Sequence, residues 1–362
     1  MTFDRSILLQ VKILMPKTFK LLPVVLSFYL LASCTSSPNP INLTAAAPAL
    51  TSTPSTLQLQ ASLPVSIEKA TATPYPKQPG AAVSAATPAY ANLTATPTAA
   101  FELLPVSSNR TAPAPDAWQS LPVIPTLSDH ARSIYLHGLQ MGRDPHAFSK
   151  VGDCQSITTY FLAELETPAL TNLGPYSSLQ ETIDWFKGSF SRESLSVKGG
   201  FNAAAVLSPL RADPKSCTSG ESPMACEYRL HNPSIALISL EEWWAGHPEN
   251  YEKYMRQIIE YSIQQGILPI VATKADNLEG NQLINQTIAR LAWEYDIPLW
   301  NFWAAAHPLS NHGLIEDGFH LTHGNNFNFA VGPAYQTGWT VRNLTALQVL
   351  DAVHRAAVSP DN

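Results

Sequence analysis

Two short segments of the chain carry side chains that could do nucleophilic chemistry. Gly152-Asp153-Cys154-Gln155-Ser156 places a thiol directly after an apolar run, and Asp317-Gly318-Phe319-His320 places an imidazole three residues after a carboxylate. A thiol becomes a strong nucleophile once it loses its proton, and a neighbouring imidazole can take that proton. A carboxylate at Asp317 can turn back to hold one ring nitrogen, which leaves the other for the thiol. The set is complete if Sγ and the ring lie within about 4 Å, with the carboxylate behind the ring. Ser156 is two positions past the thiol and is expected to face elsewhere. Sequence alone leaves bland readings open: Cys154 as a small apolar residue packed under a sheet, and His320 as a structural hydrogen-bonder. His307, His312 and His323 lie near His320, but no His-Glu-x-x-His spacing accompanies them, so no metal is expected. Neither a Gly-rich dinucleotide loop nor a phosphate loop occurs, so no cofactor is implied.

The elements that must position these groups follow from apolar patterning. Residues 147–152, 234–240, 268–273 and 297–302 read as strands, and residues 195–198 as a weaker fifth. Between them lie helical patterns. Residues 251–265 repeat apolar side chains at Tyr251, Met255, Ile258, Ile259 and Ile263, and Gly266 ends the run. Residues 283–295 put Ile284, Ile288, Leu291 and Ala292 on one face, and residues 344–357 close the chain with Asn343 as the expected N-cap. Strands alternating with helices imply parallel pairing, and continuous apolar strands imply burial on both faces. The expected fold is therefore α/β, a three-layer α/β/α sandwich with a mainly parallel, five-stranded, flavodoxin-like sheet. Functional groups in such sheets gather at the C-terminal ends of strands, which is where Cys154 and His320 fall.

In this order and at these strand ends, the two segments resemble the SGNH (GDSL-type) hydrolases over residues 148–322. The resemblance implies a nucleophile after the first strand, here Cys154 in place of serine, with His320 as general base and Asp317 as its orienter. It also implies a nucleophile close to a helix N-terminus, whose dipole and N–H groups favour an anion. Gly199-Gly200-Phe201-Asn202 corresponds to the family's intermediate block. There Gly200 is expected to offer an oxyanion N–H, and Asn202 a side-chain donor. The chain departs from the family after its third strand, where Leu240-Glu241-Glu242-Trp243-Trp244-Ala245-Gly246 stands in place of an Asn-bearing block. Losing one oxyanion donor costs about a hundred- to a thousand-fold in rate. Asp153 and Trp243 are expected to border the same cleft. Trp243, Trp244, Trp300 and Trp303 could stack on sugar faces, core packing being the plainer reading for the latter two.

The N-terminus has its own signature. Lys17 and Lys20 precede an apolar stretch over residues 21–31, followed by Leu31-Ala32-Ser33-Cys34. The stretch is short for a membrane span, and the whole resembles the signal and lipobox of bacterial lipoproteins. That implies acylation of Cys34, a membrane partner through the lipid, and an extracytoplasmic location. Met15 is a better expected start than Met1. Residues 35–117 are rich in Ala, Thr, Pro and Ser, with loose repeats such as Thr71-Ala72-Thr73-Pro74, and about half of the 30 prolines fall in the first third. Such a stretch buries too little apolar surface to offset its ordering entropy, so a disordered stalk is expected. The domains expected are thus residues 1–34 as signal, 35–117 as stalk and 118–362 as the folded domain.

Of the four cysteines, Cys217 and Cys226 flank a short loop and, in an exported chain, read as a disulfide. Charged residues make up only 14% of the chain and the net charge is -6, with no basic run, which excludes a nucleic-acid binder. Three functions stay open: a hydrolase acting on acyl esters of a glycan or lipid, a catalytically impaired domain binding a glycan or acylated ligand, and a structural surface protein.

Overall fold

The apolar runs fold as strands of one parallel sheet. The computed structural model describes residues 103–240, 248–332 and 336–359. In it β1 (Asp144–Gly152), β2 (Pro233–Ser239), β3 (Leu268–Ala272) and β4 (Leu299–Trp300) pair in sequence order, every pair parallel. β2 and β3 are buried along their whole length, as continuous apolar strands require. The helices are α1 (Asp129–Gln140), α2 (Gln180–Trp185), α3 (Pro223–His231), α4 (Pro248–Gln264), α5 (Leu283–Glu294), α6 (Phe302–Ala306) and α7 (Gly338–Val358).

Strands added one after another in one direction, through right-handed crossovers, send their connecting helices to one face. The contacts agree. Tyr228 of α3 stacks on Tyr261 of α4 and bonds Ser262, while Glu252 of α4 pairs with Arg290 of α5. α1 and α7 meet each other, Arg132 Nε donating to the Ala357 carbonyl. This packing is compatible with three layers.

The fold departs from expectation in strand number and in two boundaries. The sheet has four strands, not five. The segment at 195–198 contributes one isolated parallel bridge, Val197 to Gly152. Two backbone bonds join the segment to Gly152, and one residue pair earlier the Ser194 and Ser196 hydroxyls take the Lys150 carbonyl, at 2.6 and 2.9 Å, where a further ladder bond would form. β4 is only two residues long because Asn301 turns away to cap α6, accepting from the Ala304 N–H. Asn343 is not a cap: α7 starts earlier, with Thr337 as N-cap. Asn343 sits buried inside it, accepting the Leu162 N–H and donating to the Tyr160 carbonyl.

The packed chain begins ahead of Trp118. Leu104 N–H bonds Ser133 Oγ, Arg110 pairs with Asp296 at 3.3 Å, and the Val123 carbonyl accepts the Asn301 N–H beyond β4. This Pro-rich strap shields the β4 edge, which would otherwise offer unpaired strand groups. A groove of about 690 Å³ lies between the strap and α5. Cys217 and Cys226 form the expected disulfide. Among the described residues, no helix is long and apolar enough to cross a membrane. Cys34, the signal and the stalk up to residue 102 lie outside the described residues.

Candidate active site

The site is built where β1 leaves the sheet. Gly152 ends the strand, and only glycine fits: a Cβ there would stand 2.2 Å from Ser156 Oγ and 2.7 Å from the Ser239 carbonyl. Asp153 follows, fully buried, and its carboxylate accepts the Gln155 N–H at 2.9 Å. That bond curls Cys154–Ser156 into a single 3-10 turn. The helix N-terminus expected beside the nucleophile is here only this turn, too short to build a macrodipole that would favour an anion. Ser156 points back to the Ser239 carbonyl, as its two-residue offset predicts.

The base comes from a tight loop pinned at both ends. Leu314 and Leu321 form an antiparallel bridge, Ile315 N–H bonds the His320 carbonyl, and Thr322 N–H bonds the Gly313 carbonyl. Within this loop Asp317 Oδ1 accepts two backbone N–H groups, from Phe319 and His320, each at 2.9 Å. Its other oxygen faces His320 Nδ1 at 2.6 Å. Partial burial opposes ionisation of Asp317, but the bonds from the His320 ring and from both N–H groups outweigh it and hold the carboxyl below its ordinary range. With Nδ1 donating to Asp317, Nε2 becomes the acceptor, and it lies 3.9 Å from Cys154 Sγ. Uncomplexed sites hold such pairs loosely. Cys154 is only 5% exposed, while the His320 side chain is 35% exposed. The ring therefore bridges a buried thiol and solvent.

Two side chains tie the thiol segment to its surroundings. Gln155 Nε2 donates to the Phe319 carbonyl at 2.9 Å, joining the Cys154 turn to the His320 loop. Arg342, buried in α7, donates through Nε to the Gln155 carbonyl at 2.9 Å and through Nη2 to Ser239 Oγ at 2.7 Å.

The remaining expected residues divide. Val197 pairs in parallel with Gly152, so both chains leave the sheet at the same end, Gly199-Gly200 following one and Cys154 the other. Phe201 N–H bonds the Lys198 carbonyl across a turn with Gly200 at φ +79°. That is a type II turn, whose central N–H points outward. Among the described residues, the Gly200 N–H has no acceptor. Asn202 is engaged locally: its Oδ1 accepts the Ala204 and Ala205 N–H groups. Trp243, with Glu241, Glu242 and Trp244, lies outside the described residues. Trp300 is core, 1% exposed. Among the described residues the cluster with metal-ligand chemistry is Cys217, Glu221 and Cys226, whose two sulfurs are already joined.

Sequence reasoning missed the buried charges. Lys150 lies inside β1, donating to Thr158 Oγ1 and the Phe190 carbonyl. Burial pushes its amine down to about 7, although Glu227, Glu166 and Glu193 favour the charge. Lys274, Asp276 and Glu279 form a second buried group beyond β3. A lysine interrupting an apolar strand, and a Lys-x-Asp-x-x-Glu run just past one, were the available signals. Arg342 and Gln155 had none.

No family model matches the chain, and no curated protein matches it either.

Proposed function

We propose that the folded domain is an acyl ester hydrolase of the SGNH type, using Cys154 as nucleophile, His320 as general base and Asp317 as its orienter. One observation carries this reading: Asp317 holds His320 Nδ1 at 2.6 Å while Nε2 faces Sγ at 3.9 Å. Nε2 takes the thiol proton as sulfur attacks the ester carbonyl carbon, whose π electrons move to oxygen. Collapse expels the alcohol, which takes the proton back from His320. Water, deprotonated by the same ring, then cleaves the thioester and releases the acid and the thiol. We assign the Gly200 N–H as the donor for the oxyanion.

The sheet supports the finer fold reading. The Val197 bridge flanks β1 on the side opposite β2, so the chain reverses direction of growth at β1, and such reversals mark ligand crevices. The N-terminal signature supports a lipid anchor on Cys34 and display of the domain on a bacterial membrane surface by the stalk. The substrates this location favours are acyl esters of a surface glycan or lipid.

A second reading is a catalytically impaired domain that binds a glycan or an acylated ligand. The near-complete burial of Cys154 and the inward use of the Asn202 oxygen favour it. Hydrolysis of short-chain aryl esters and thioesters separates the two. The chain from residue 34 onward, carrying Cys34→Ser, is expected to turn these over, with loss of turnover in Cys154→Ala and in His320→Ala. A folded protein that cleaves neither substrate class would leave the binding reading.

A further inference from the structure

The site holds one more charge than its nucleophile, base and orienter supply. Arg342 enters from α7 and is fully buried, yet its guanidinium reaches the C-terminal ends of both β1 and β2, through the Gln155 carbonyl and Ser239 Oγ. Its plane sits among three rings, Phe161 at 5.1 Å, Trp300 at 5.2 Å and Phe302 at 4.9 Å. Aromatic faces stabilise a desolvated cation, and a guanidinium keeps its charge at any working pH. Gln155, whose carbonyl it grips, is the residue next to Cys154. The grip lies on the thiol's own segment, whereas His320 is carried by the 314–321 loop.

We propose that Arg342 is a positioning residue that eases ionisation of the Cys154 thiol and supports the negative charge that develops on sulfur as Nε2 takes its proton. The role rests on the proposed nucleophile. It goes beyond that reading by giving a buried arginine of α7 a part in activating the thiol. Fixed charge in a buried place acts at low dielectric and escapes salt screening. The other charged or titratable groups around the thiol, among the described residues, are Asp153 on its own turn, His320 and Asp317 on the 314–321 loop, and His323 just past it. Buried Asp153 opposes a thiolate. The His320 ring faces the thiol, with Asp317 behind it. His323 is lowered by burial and by His320 and adds little charge at neutral pH. Arg342 adds a permanent cation bonded to the segment that carries Cys154.

The test needs no ester. In the full chain carrying Cys34→Ser, with the 217–226 disulfide intact, the pH dependence of iodoacetamide alkylation reports the Cys154 thiol. Arg342→Gln is expected to raise the thiol's midpoint by about one unit, the low end of the shift that a nearby opposite charge exerts. Arg342→Lys, which keeps the charge but loses the fork, is expected to leave it within a few tenths. An unchanged midpoint in a folded Arg342→Gln protein overturns the proposal. If Arg342→Gln does not fold, Arg342→Met decides by the same readout, a rise of about one unit supporting the charge role and an unchanged midpoint overturning it. Absence of ester turnover alongside a shifted midpoint would sink the hydrolase reading and leave this one standing.

Discussion

The C-terminal edge of the sheet carries two buried charged clusters, and they are finished differently. Beyond β3, Lys274 Nζ contacts Asp276 at 2.6 Å and Glu279 at 2.7 Å. Glu279 also accepts the Ile284 N–H, and Asn285 holds both the Lys274 N–H and its carbonyl. Burial opposes the Lys274 charge, yet the two carboxylates overcome it and push the ammonium's pKa up. Every strong arm of this cluster ends on protein, so it acts as a polar plug. Beyond β1, a thiol faces an imidazole whose ring is about one-third open to solvent, and the carboxylate behind it is 43% exposed. The lesson is that polarity and strand-end position do not mark a reactive site. An accessible base aimed at a nucleophile does.

The comparison can be broken on either side. The largest effect is expected at β1. His320→Ala should lower ester turnover roughly 10⁴-fold or more while leaving the thermal unfolding midpoint unchanged. A loss of turnover accompanied by unfolding would make His320 structural. On the β3 side, Asp276→Ala should destabilise the fold by about 3–5 kcal/mol, because it uncovers a buried charge. It should leave the alkylation rate of Cys154 as it was, as read by denaturant titration and thiol labelling together.

Lys150 sharpens the contrast between buried charges. Its amine falls from 10.5 to about 7 on folding, so the folded chain binds fewer protons than the unfolded chain between those values. Stability should therefore rise as pH climbs from 7 toward 10.5, by on the order of 3 kcal/mol. The rise should vanish in Lys150→Met, compared by urea titration at pH 7 and pH 9.5.

The smallest effect is expected at the surface. The Arg229 bond, helped by the Thr218 N–H, lowers Glu221 from 4.5 to about 2. Its stabilising contribution is full above pH 4.5 and is lost as pH falls toward 2. Arg229→Gln should flatten melting temperatures only within that window.

How much of this was legible in sequence depends on what each feature obeys. Period and apolarity set β2, β3, α4 and α5, whose inward faces came out as read: Ile258, Ile259, Ile284 and Leu291 are all fully or almost fully buried. The disulfide followed from the spacing of two cysteines across a short loop. The pairing of Asp317 with His320 followed from a local three-residue reach. What failed depended on distant partners. The segment at 195–198 lost its strand because serine hydroxyls took the Lys150 carbonyl. The start of α7 was missed because Asn343, a good cap by type, serves instead the Tyr160–Leu162 loop. Arg342 looked like any helical arginine, since its aromatic cage is gathered from two distant parts of the chain.

The central claim is that Cys154 and His320 act as one nucleophilic unit. Intact-mass measurement after brief mixing with an aryl acetate tests it most directly. The account predicts a single acetyl adduct that maps to Cys154, decays with time in the native protein, and is lost in Cys154→Ala. In His320→Ala its formation should slow by orders of magnitude. An adduct that forms equally fast without His320, or that maps to another residue, would contradict it.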